Sequence, residues 1–304
     1  MSHVSPGIAR RHAALLPFYA LMLAAGLWGG WWIPLRMLDA RGIARDWAGL
    51  AFYAVAAAAL LPFVLYHWRR VAAAAGPLLL IALSAGPASA AFNHAVITSG
   101  VVRAVLLFYL APIWATVLAR IVLKERIGPQ RAVSIALGIA GSAVVLGLDD
   151  QFAPPGSLGE YMGLAAGFLW ALAMTWTRKA AEVSALDKTF ATLAGCCLAS
   201  VGLALLLPGA EAPAWAALGE AAWIIVAAAI LWLVPFSVLE FWGASRMDPG
   251  RTCIVLLVEV VVSAVTATAL AGEAFGWREA VGSLLIVGAG FIEVRDQARA
   301  PARA

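Results

Sequence analysis

Charged residues are scarce in this chain of 304 residues. Only 12% of its residues are Asp, Glu, Lys or Arg, whereas 63% are hydrophobic and the mean hydropathy is +0.89. Soluble domains carry about 25% charged residues, because much of their surface faces water. The shortage of charge therefore excludes an ordinary water-soluble domain and predicts a membrane protein.

Cysteine and enzyme motifs are lacking as well. The three cysteines (Cys196, Cys197, Cys253) have the spacing of neither a metal site nor a disulfide framework. The sequence contains no Gly-Lys-Ser/Thr loop for nucleotide phosphates, so we expect no direct use of ATP. The positive charges are spread over short loops, which speaks against a nucleic-acid partner. We therefore predict no enzyme activity, no cofactor and no metal.

Long apolar runs are what the chain has instead. They last about twenty residues, the length at which a helix crosses a bilayer, whereas the strands of a β-barrel alternate over about ten. We predict an all-α membrane protein with ten transmembrane helices. The predicted spans cover residues 17–37, 47–66, 76–98, 101–122, 129–148, 158–178, 189–207, 219–243, 251–271 and 276–294.

The positions of the 21 Lys and Arg residues predict the orientation of these spans. With the N-terminus in the cytoplasm, 16 of them lie on the cytoplasmic side and 5 on the other, as the positive-inside rule requires. We therefore predict a multi-pass protein of the inner (plasma) membrane with both termini cytoplasmic. Residues 1–16 and 296–304 are the predicted tails. The first apolar run is too long for a cleaved signal peptide, so we expect it to be the first span.

Two segments of the chain are versions of one pattern. Residues 101–125 and 249–273 each begin with an arginine near the start of an apolar run (Arg103, Arg251) and end on a glutamate 22 residues after it. The offset is 148 residues, close to half of the chain. Duplicated halves in a membrane protein are typical of transporters.

The duplication divides the chain into residues 17–150 and 151–295. Each half contains five predicted spans. Because five is an odd number, the two halves cross the membrane in opposite directions. We therefore expect two inverted five-helix repeats, with the substrate bound near the midplane between them.

Several motifs resemble a known family. Trp28 and Gly29 lie in the first span, the fourth span carries Tyr109-Leu110-Ala111-Pro112 and runs to Leu123-Lys124-Glu125-Arg126, and the fifth and tenth spans are rich in glycine. From about residue 17 to 295 the chain resembles the EamA type of the drug/metabolite transporter superfamily. The resemblance implies transport of small metabolites by alternating access. The many tryptophans look most similar to the aromatic amino-acid exporters (the YddG group).

The second half departs from the family pattern at one place. Where the first copy has Pro112, the second has Val260, preceded by Glu259. A carboxylate near the middle of a spanning helix costs about 2.5–3.5 kcal/mol on insertion scales and usually faces a cavity or a partner. Glu259 could bind an ammonium group or exchange a proton; the alternative is a protonated glutamate in a hydrogen bond between helices.

Four further polar or aromatic residues are candidates for substrate contact. Glu240 lies near the inner end of span eight and could instead pair with Arg246. Asn93 and His94, near the outer end of span three, could bind the polar ends of a solute or join helices by hydrogen bonds. Trp242 is the repeat equivalent of His94, and this asymmetry suits a substrate with unlike ends.

Aromatic residues deep in the predicted spans are the remaining candidates. Trp28 and Trp32 are four residues apart and so share a helix face, and Trp170 is the repeat partner of Trp28. Stacking on an aromatic solute is worth about 0.5–1.5 kcal/mol per pair; packing or contact with lipid is the alternative. The aromatic candidates are Trp28, Trp32, Tyr109, Trp114, Trp170, Trp176 and Trp232.

The sequence thus predicts a secondary transporter that exports small organic solutes through a central cavity by alternating access. Aromatic amino acids are the first candidates, and spans one, three, four, six, eight and nine are expected to line the cavity. Another metabolite or a drug is the alternative cargo, and a channel or a membrane assembly protein is the alternative class. Coupling to protons is left open. The expected partners are the substrate and the lipid bilayer, and a monomer suffices because one chain holds both halves.

Overall fold

The computed structural model describes residues 6–125, 127–147, 154–206, 212–272 and 275–299. All regular elements in these ranges are helical. The helices are α1 (Pro6–Gly29), α2 (Trp32–Asp39), α3 (Arg45–Tyr66), α4 (Trp68–Ala73), α5 (Ala75–Ser99), α6 (Val101–Phe108), α7 (Ala111–Val122), α8 (Pro129–Val145), α9 (Leu158–Lys179), α10 (Ala185–Leu206), α11 (Trp215–Ala228), α12 (Val234–Ala244), α13 (Pro249–Leu256), α14 (Val258–Ala271) and α15 (Trp277–Arg299), with a π-helical turn (Ala229–Leu233) between α11 and α12.

Seven helical stretches in the described ranges are long and apolar enough to cross a membrane. They are Leu15–Asp39, Trp47–Tyr66, Ala75–Ser99, Val101–Val122, Ala185–Leu206, Trp215–Ala244 and Pro249–Ala271. Helix α8 is apolar but has only 17 residues, and α9 and α15 fall outside the same criterion. The all-α membrane fold is confirmed, while the count of ten crossings stays a prediction. Both predicted tails lie partly outside the described residues.

Four predicted spans are interrupted rather than continuous. Span one is interrupted between α1 and α2, and span eight contains the π-helical turn. Spans four and nine break at equivalent positions, since α6 ends at Phe108 and α13 ends at Leu256, 148 residues later. Proline explains the first of these two breaks, because Pro112 at the start of α7 has no N–H to donate.

The break in span nine forms without a proline. There the Val260 N–H donates to the Leu257 carbonyl at 3.0 Å, a three-residue step in place of the helical four. In span four, the Ile113 N–H donates to the Leu110 carbonyl at 3.0 Å in the same way. Short 3₁₀ steps inside a helix often mark hinges. The two copies of the segment therefore share a kink as well as a sequence pattern.

The packing partners of the helices follow the division into halves. Span five (α8) packs on span ten (α15), span four (α7) on span nine (α13), and span two (α3) on span seven (α10). Span three (α5) packs on span six (α9), and span eight (α12) packs on span one (α1). Exchange of the two halves leaves this set of pairs unchanged, as a two-fold arrangement requires.

Glycine allows the close contact between spans five and ten. A Cβ atom added to Gly141 would lie 2.7 Å from the carbonyl oxygen of Gly282, and one added to Gly282 would lie 2.5 Å from that of Gly141. Neither position has room for a side chain. The glycines of these spans thus bring two backbones together, as small residues do between helices in lipid.

Candidate functional site

A cavity of about 310 Å³ lies between the two halves of the chain. Its volume is at the lower end of the range of about 300–1,000 Å³ for small-molecule sites. Spans one, three, four, six, eight and nine all contribute to its lining. Span two also contributes, through Gly49 and Tyr53, and so does span seven, through Thr192, Leu193 and Cys196.

The two broken spans supply equivalent residues to this lining. Each of the pairs below consists of residues 148 positions apart in the two copies, and both members face the cavity. The pairs are Val105 and Cys253, Phe108 and Leu256, Tyr109 and Leu257, and Ala111 and Glu259. The kinks in spans four and nine therefore lie at the cavity, and the two copies differ there in chemistry.

Aromatic side chains form much of the cavity wall. Trp28, Trp32, Tyr109 and Trp170, all expected from the sequence, are among them. Trp31 was not expected, yet it is only 6% exposed and its ring lies parallel to that of Trp28 with centroids 6.3 Å apart. The remaining aromatic lining residues are Tyr53, Phe92, Phe108, Phe236 and Phe241.

Glu259 lies at the first turn of α14, directly after the break in span nine. The Tyr109 hydroxyl donates a hydrogen bond to its Oε1 at 2.8 Å. Tyr109 itself sits at the break in span four. The two kinks, one from each half, are therefore joined by a hydrogen bond to a carboxyl group inside the cavity.

Gly29 of the Trp-Gly pair brings span one close to this carboxyl group. A Cβ atom at Gly29 would lie 2.7 Å from the backbone oxygen of Glu259. The Ser263 hydroxyl donates to the Gly29 carbonyl at 2.8 Å. Only glycine permits this approach, so Gly29 lets span one pack directly against the backbone of Glu259.

Glu240 is the second carboxyl group of the cavity. It lies on α12, is 7% exposed and lines the cavity. The alternative pairing with Arg246 does not occur, because Arg246 donates to the Trp242 carbonyl at 2.9 Å and lies over the Trp242 ring. Among the described side chains, none donates a hydrogen bond to Glu240. Its carboxyl group therefore faces the cavity without a protein partner.

The other candidates divide into one that lines the cavity and five that do not. Asn93 lines it, and Asn93 and Ser89 lie in hydrogen-bonding range of the Tyr53 hydroxyl. The described lining does not include His94, Trp114, Trp176, Trp232 or Trp242.

These five candidates have other neighbours. The His94 carbonyl accepts a bond from Thr98 at 2.8 Å, and Trp114 meets Phe168 edge to face at 5.8 Å. Cations lie over the rings of Trp176 and Trp242, namely Lys179 at 5.1 Å and Arg246 at 4.2 Å. Trp232 packs edge to face on Trp31, and its indole N–H donates to the Leu27 carbonyl at 2.7 Å.

Arginines pair with carboxylates at the ends of the bundle. Near the start of α6, the Arg103 Nε lies 2.8 Å from Glu160 of the second half. At the start of α13, the equivalent Arg251 lies 2.8 Å from Glu293 of α15, which also meets Arg131 at 3.1 Å. Arg131 further contacts Asp248. One end of the bundle thus has a network of ion pairs that joins the two halves.

Glu125 extends this network from the loop after α7. It lies 3.8 Å from Arg178. Burial, together with the hydrogen bond to Asp248 and that group's charge, raises the pKa of Glu125 to about 8. Burial alone would raise the pKa of Asp248, but the hydrogen bond with Glu125 and the charge of Arg131 lower it. At neutral pH these two carboxyl groups share one proton.

The described residues contain no group of three or more His, Cys, Asp and Glu side chains that could hold a metal ion. The lining of the cavity consists of aromatic, acidic and neutral polar side chains among apolar ones. It combines an aromatic wall, the carboxyl groups of Glu240 and Glu259, and a few neutral polar side chains. Such a lining can stack on a ring and bind a hydrogen-bond donor or a cation.

Comparisons with known proteins agree with this architecture. No curated protein matches the chain. Among solved structures, one described only as a crystal structure of a protein aligns with a TM-score of 0.72 over 96% of this chain and 99% of its own. The two sequences are 18% identical, so this likeness concerns the fold.

A family model matches the chain twice, once in each half. The model is that of the EamA-like transporter family, and it matches residues 16–147 and 157–293. The two matches together cover most of the chain, and they meet between α8 and α9. The chain therefore belongs to the EamA-like transporter family.

Proposed function

We propose that this protein is a secondary transporter that exports small organic solutes with an aromatic or apolar body and an amino group. Aromatic amino acids belong to this class. The observation that carries the proposal is the cavity between the two halves, where an aromatic wall surrounds the carboxyl groups of Glu240 and Glu259. Aromatic rings bind a flat solute, and a carboxylate binds an ammonium group.

Alternating access would use the two kinked spans. Residues 17–150 and 151–295 are proposed as inverted repeats that rock against each other around the cavity. The Tyr109–Glu259 hydrogen bond links the break at Tyr109–Leu110 to the first turn of α14, directly after the break at Leu257. A change in backbone conformation at either kink would therefore move a side chain that lines the substrate cavity.

The charged end of the bundle supplies the proposed inner gate. With both termini in the cytoplasm of an inner-membrane protein, the network of Arg131, Asp248, Arg251 and Glu293 lies on the cytoplasmic side. In this arrangement the network ties the halves together there. Export requires these ion pairs to separate so that the solute can enter, and to form again before it leaves.

The driving force would be the gradient of the solute or of protons. Glu259 is the proposed group for proton exchange, since an ammonium group that binds its carboxylate competes with a proton. A single chain suffices for the cycle, because each half provides one kinked span.

Transport into proteoliposomes tests the proposal. The purified protein is reconstituted, and uptake is measured for labelled aromatic amino acids, aliphatic amino acids, aromatic amines and nucleobases, with and without a proton gradient. We expect saturable flux that is fastest for solutes with both a ring and an amino group. Absence of flux for the whole panel would refute the proposal, and flux that never saturates would point to a channel.

A further inference from the structure

We infer that the cavity selects aromatic amines without a carboxylate, that is, arylalkylammonium ions, over aromatic amino acids. This inference rests on the proposed function and narrows its substrate class. It follows from the charges that line the cavity, from one carboxyl group without a partner, and from the hydrogen-bond donors that are already used.

The charged groups of the cavity have one sign. Among its lining residues in the described part of the chain, the carboxylic acids are Glu240 and Glu259, and none is Lys, Arg or His. Arg103, which lies between two lining residues of α6, is held by Glu160 at 2.8 Å. A charged group removed from water needs a partner of opposite sign. The carboxylate of an amino acid would find no such partner here.

The two acids, by contrast, suit an ammonium group. Glu240 is 7% exposed and receives no hydrogen bond from the described side chains, while Glu259 receives one from Tyr109. The two carboxyl groups are close enough to interact electrostatically. A primary ammonium has three N–H donors, which is enough for a hydrogen bond to Glu240 and for further acceptors of the cavity.

Some of the cavity's donors that could bind a carboxylate already have protein acceptors. The Trp32 indole N–H donates to Thr266 at 3.1 Å, and the Ser263 hydroxyl donates to the Gly29 carbonyl at 2.8 Å. Ser89 and Asn93 lie in hydrogen-bonding range of the Tyr53 hydroxyl. The aromatic wall adds a preference of its own, because ring faces attract cations and not anions.

Four 3-substituted indoles whose side chains differ in charge test the inference. Tryptamine is a cation, tryptophan a zwitterion, indole-3-propionate an anion and 3-methylindole is neutral. Their dissociation constants are measured by calorimetry on the purified, detergent-solubilised protein. We expect tryptamine to bind at least about tenfold more tightly than tryptophan, as the loss of one charged partner implies. Indole-3-propionate should bind most weakly.

Two variants locate the effect. Glu240→Gln should weaken tryptamine about tenfold and leave 3-methylindole unchanged, so that retained binding of the neutral indole reports an intact cavity. Glu220→Gln is the matched control, since Glu220 lies exposed on α11 in the same span. Its affinities should equal those of the wild type.

Three outcomes would overturn the inference: tryptophan binding as tightly as tryptamine, no binding of any of the four indoles, or equal tryptamine affinity in Glu240→Gln and wild type. The flux assay keeps the proposed function separate. Saturable tryptophan flux with a binding preference for tryptophan would leave the proposed function and remove the inference. Tight tryptamine binding without flux of any solute would support the inferred selectivity and refute the proposed transport function.

Discussion

The two copies of the repeated segment, residues 101–125 and 249–273, share a helical architecture and differ in chemistry. Both break at the same position, and both line the cavity at that break. The first copy provides the Tyr109 hydroxyl there, and the second provides the Glu259 carboxyl group, which accepts a hydrogen bond from it at 2.8 Å. The equivalents of these two residues, Leu257 and Ala111, are apolar. Duplication thus explains the architecture, whereas divergence between the copies explains the site.

The arginines that open the two copies differ in a related way. Arg103 pairs with Glu160, whose side chain is 19% exposed. Arg251 pairs with Glu293, which is 2% exposed and also held by Arg131. The same residue type at equivalent positions therefore pairs with a partly exposed carboxylate in the first copy and with a buried carboxylate shared by two arginines in the second. In the proposed alternating-access cycle, one end of the bundle is held more tightly than the other in each state.

Loss of the second copy's carboxyl group should have the largest effect. Glu259→Gln keeps an acceptor for Tyr109 but removes the charge, so transport should fall at least about 100-fold, as the roughly 3–5 kcal/mol for a broken buried charge pair implies. Initial rates in proteoliposomes measure it, with Glu220→Gln as the control.

Transfer of this carboxyl group to the first copy tests the asymmetry itself. In Glu259→Ala/Ala111→Glu, the carboxyl group moves to the first copy. Its expected neighbour there is Leu257, the equivalent of Tyr109, which has no hydroxyl to donate. We expect transport to stay at the level of Glu259→Gln. Recovery to near wild-type rates would mean that the two copies are interchangeable.

The unequal ion pairs predict unequal losses of stability. Glu293→Gln leaves Arg131 and Arg251 without their shared carboxylate and should cost about 3–5 kcal/mol. Glu160→Gln should cost much less, because the pair is more exposed and glutamine can retain the capping box with Ser157. Melting temperatures in detergent compare the two variants. Equal values would contradict the difference between the ends.

Removal of the first copy's hydroxyl should have a moderate effect. Tyr109→Phe retains the ring and loses the bond to Glu259, so the apparent affinity for a transported amine should fall about tenfold. Tyr161→Phe is the matched control, since Tyr161 is 56% exposed on α9. A loss of the same size in both variants would remove Tyr109 from the site.

The smallest effect should come from the glutamate that ends the first copy. Because the folded protein raises the pKa of Glu125 to about 8, the folded state binds more protons than the unfolded state between the ordinary pKa and that value. Stability contributed by this proton is present at low pH and is lost as pH rises through about 8. Melting temperature should therefore fall by a few degrees from pH 6 to pH 9.

Glu125→Gln should flatten this dependence, since the amide donates to Asp248 at every pH. A wild-type slope that persists in the variant would assign the titration elsewhere. The second copy ends on Glu273, which lies outside the described residues.

Much of the helical architecture could be predicted from the sequence, because it follows from local sequence patterns. The 148-residue offset predicted equivalent segments, and the departure at Val260 pointed to Glu259 as a site of different chemistry. The kink in span nine was not predicted, because no proline marks it. Glu240 was ambiguous, since the distance to Arg246 along the chain does not say which direction the guanidinium takes.

The aromatic wall illustrates where helical periodicity stops being informative. Residues four apart share a helix face, so the sequence predicts a common face for Trp28 and Trp32. In the structure, however, α1 ends at Gly29 and α2 begins at Trp32. Across that break the rule does not hold, and Trp31 also faces the cavity. Asn93 faces the cavity and its neighbour His94 does not, because adjacent residues point in directions about 100° apart on a helix.

Counterflow in proteoliposomes tests the central claim most directly, namely that one site in this cavity is exposed to the two sides in turn and depends on the second copy's carboxyl group. Vesicles are preloaded with unlabelled tryptamine or tryptophan, and entry of the same labelled solute is followed. The account predicts faster, transient accumulation in preloaded than in empty vesicles for the wild type, and none for Glu259→Gln. Equal entry into preloaded and empty vesicles, or undiminished counterflow in Glu259→Gln, would contradict it.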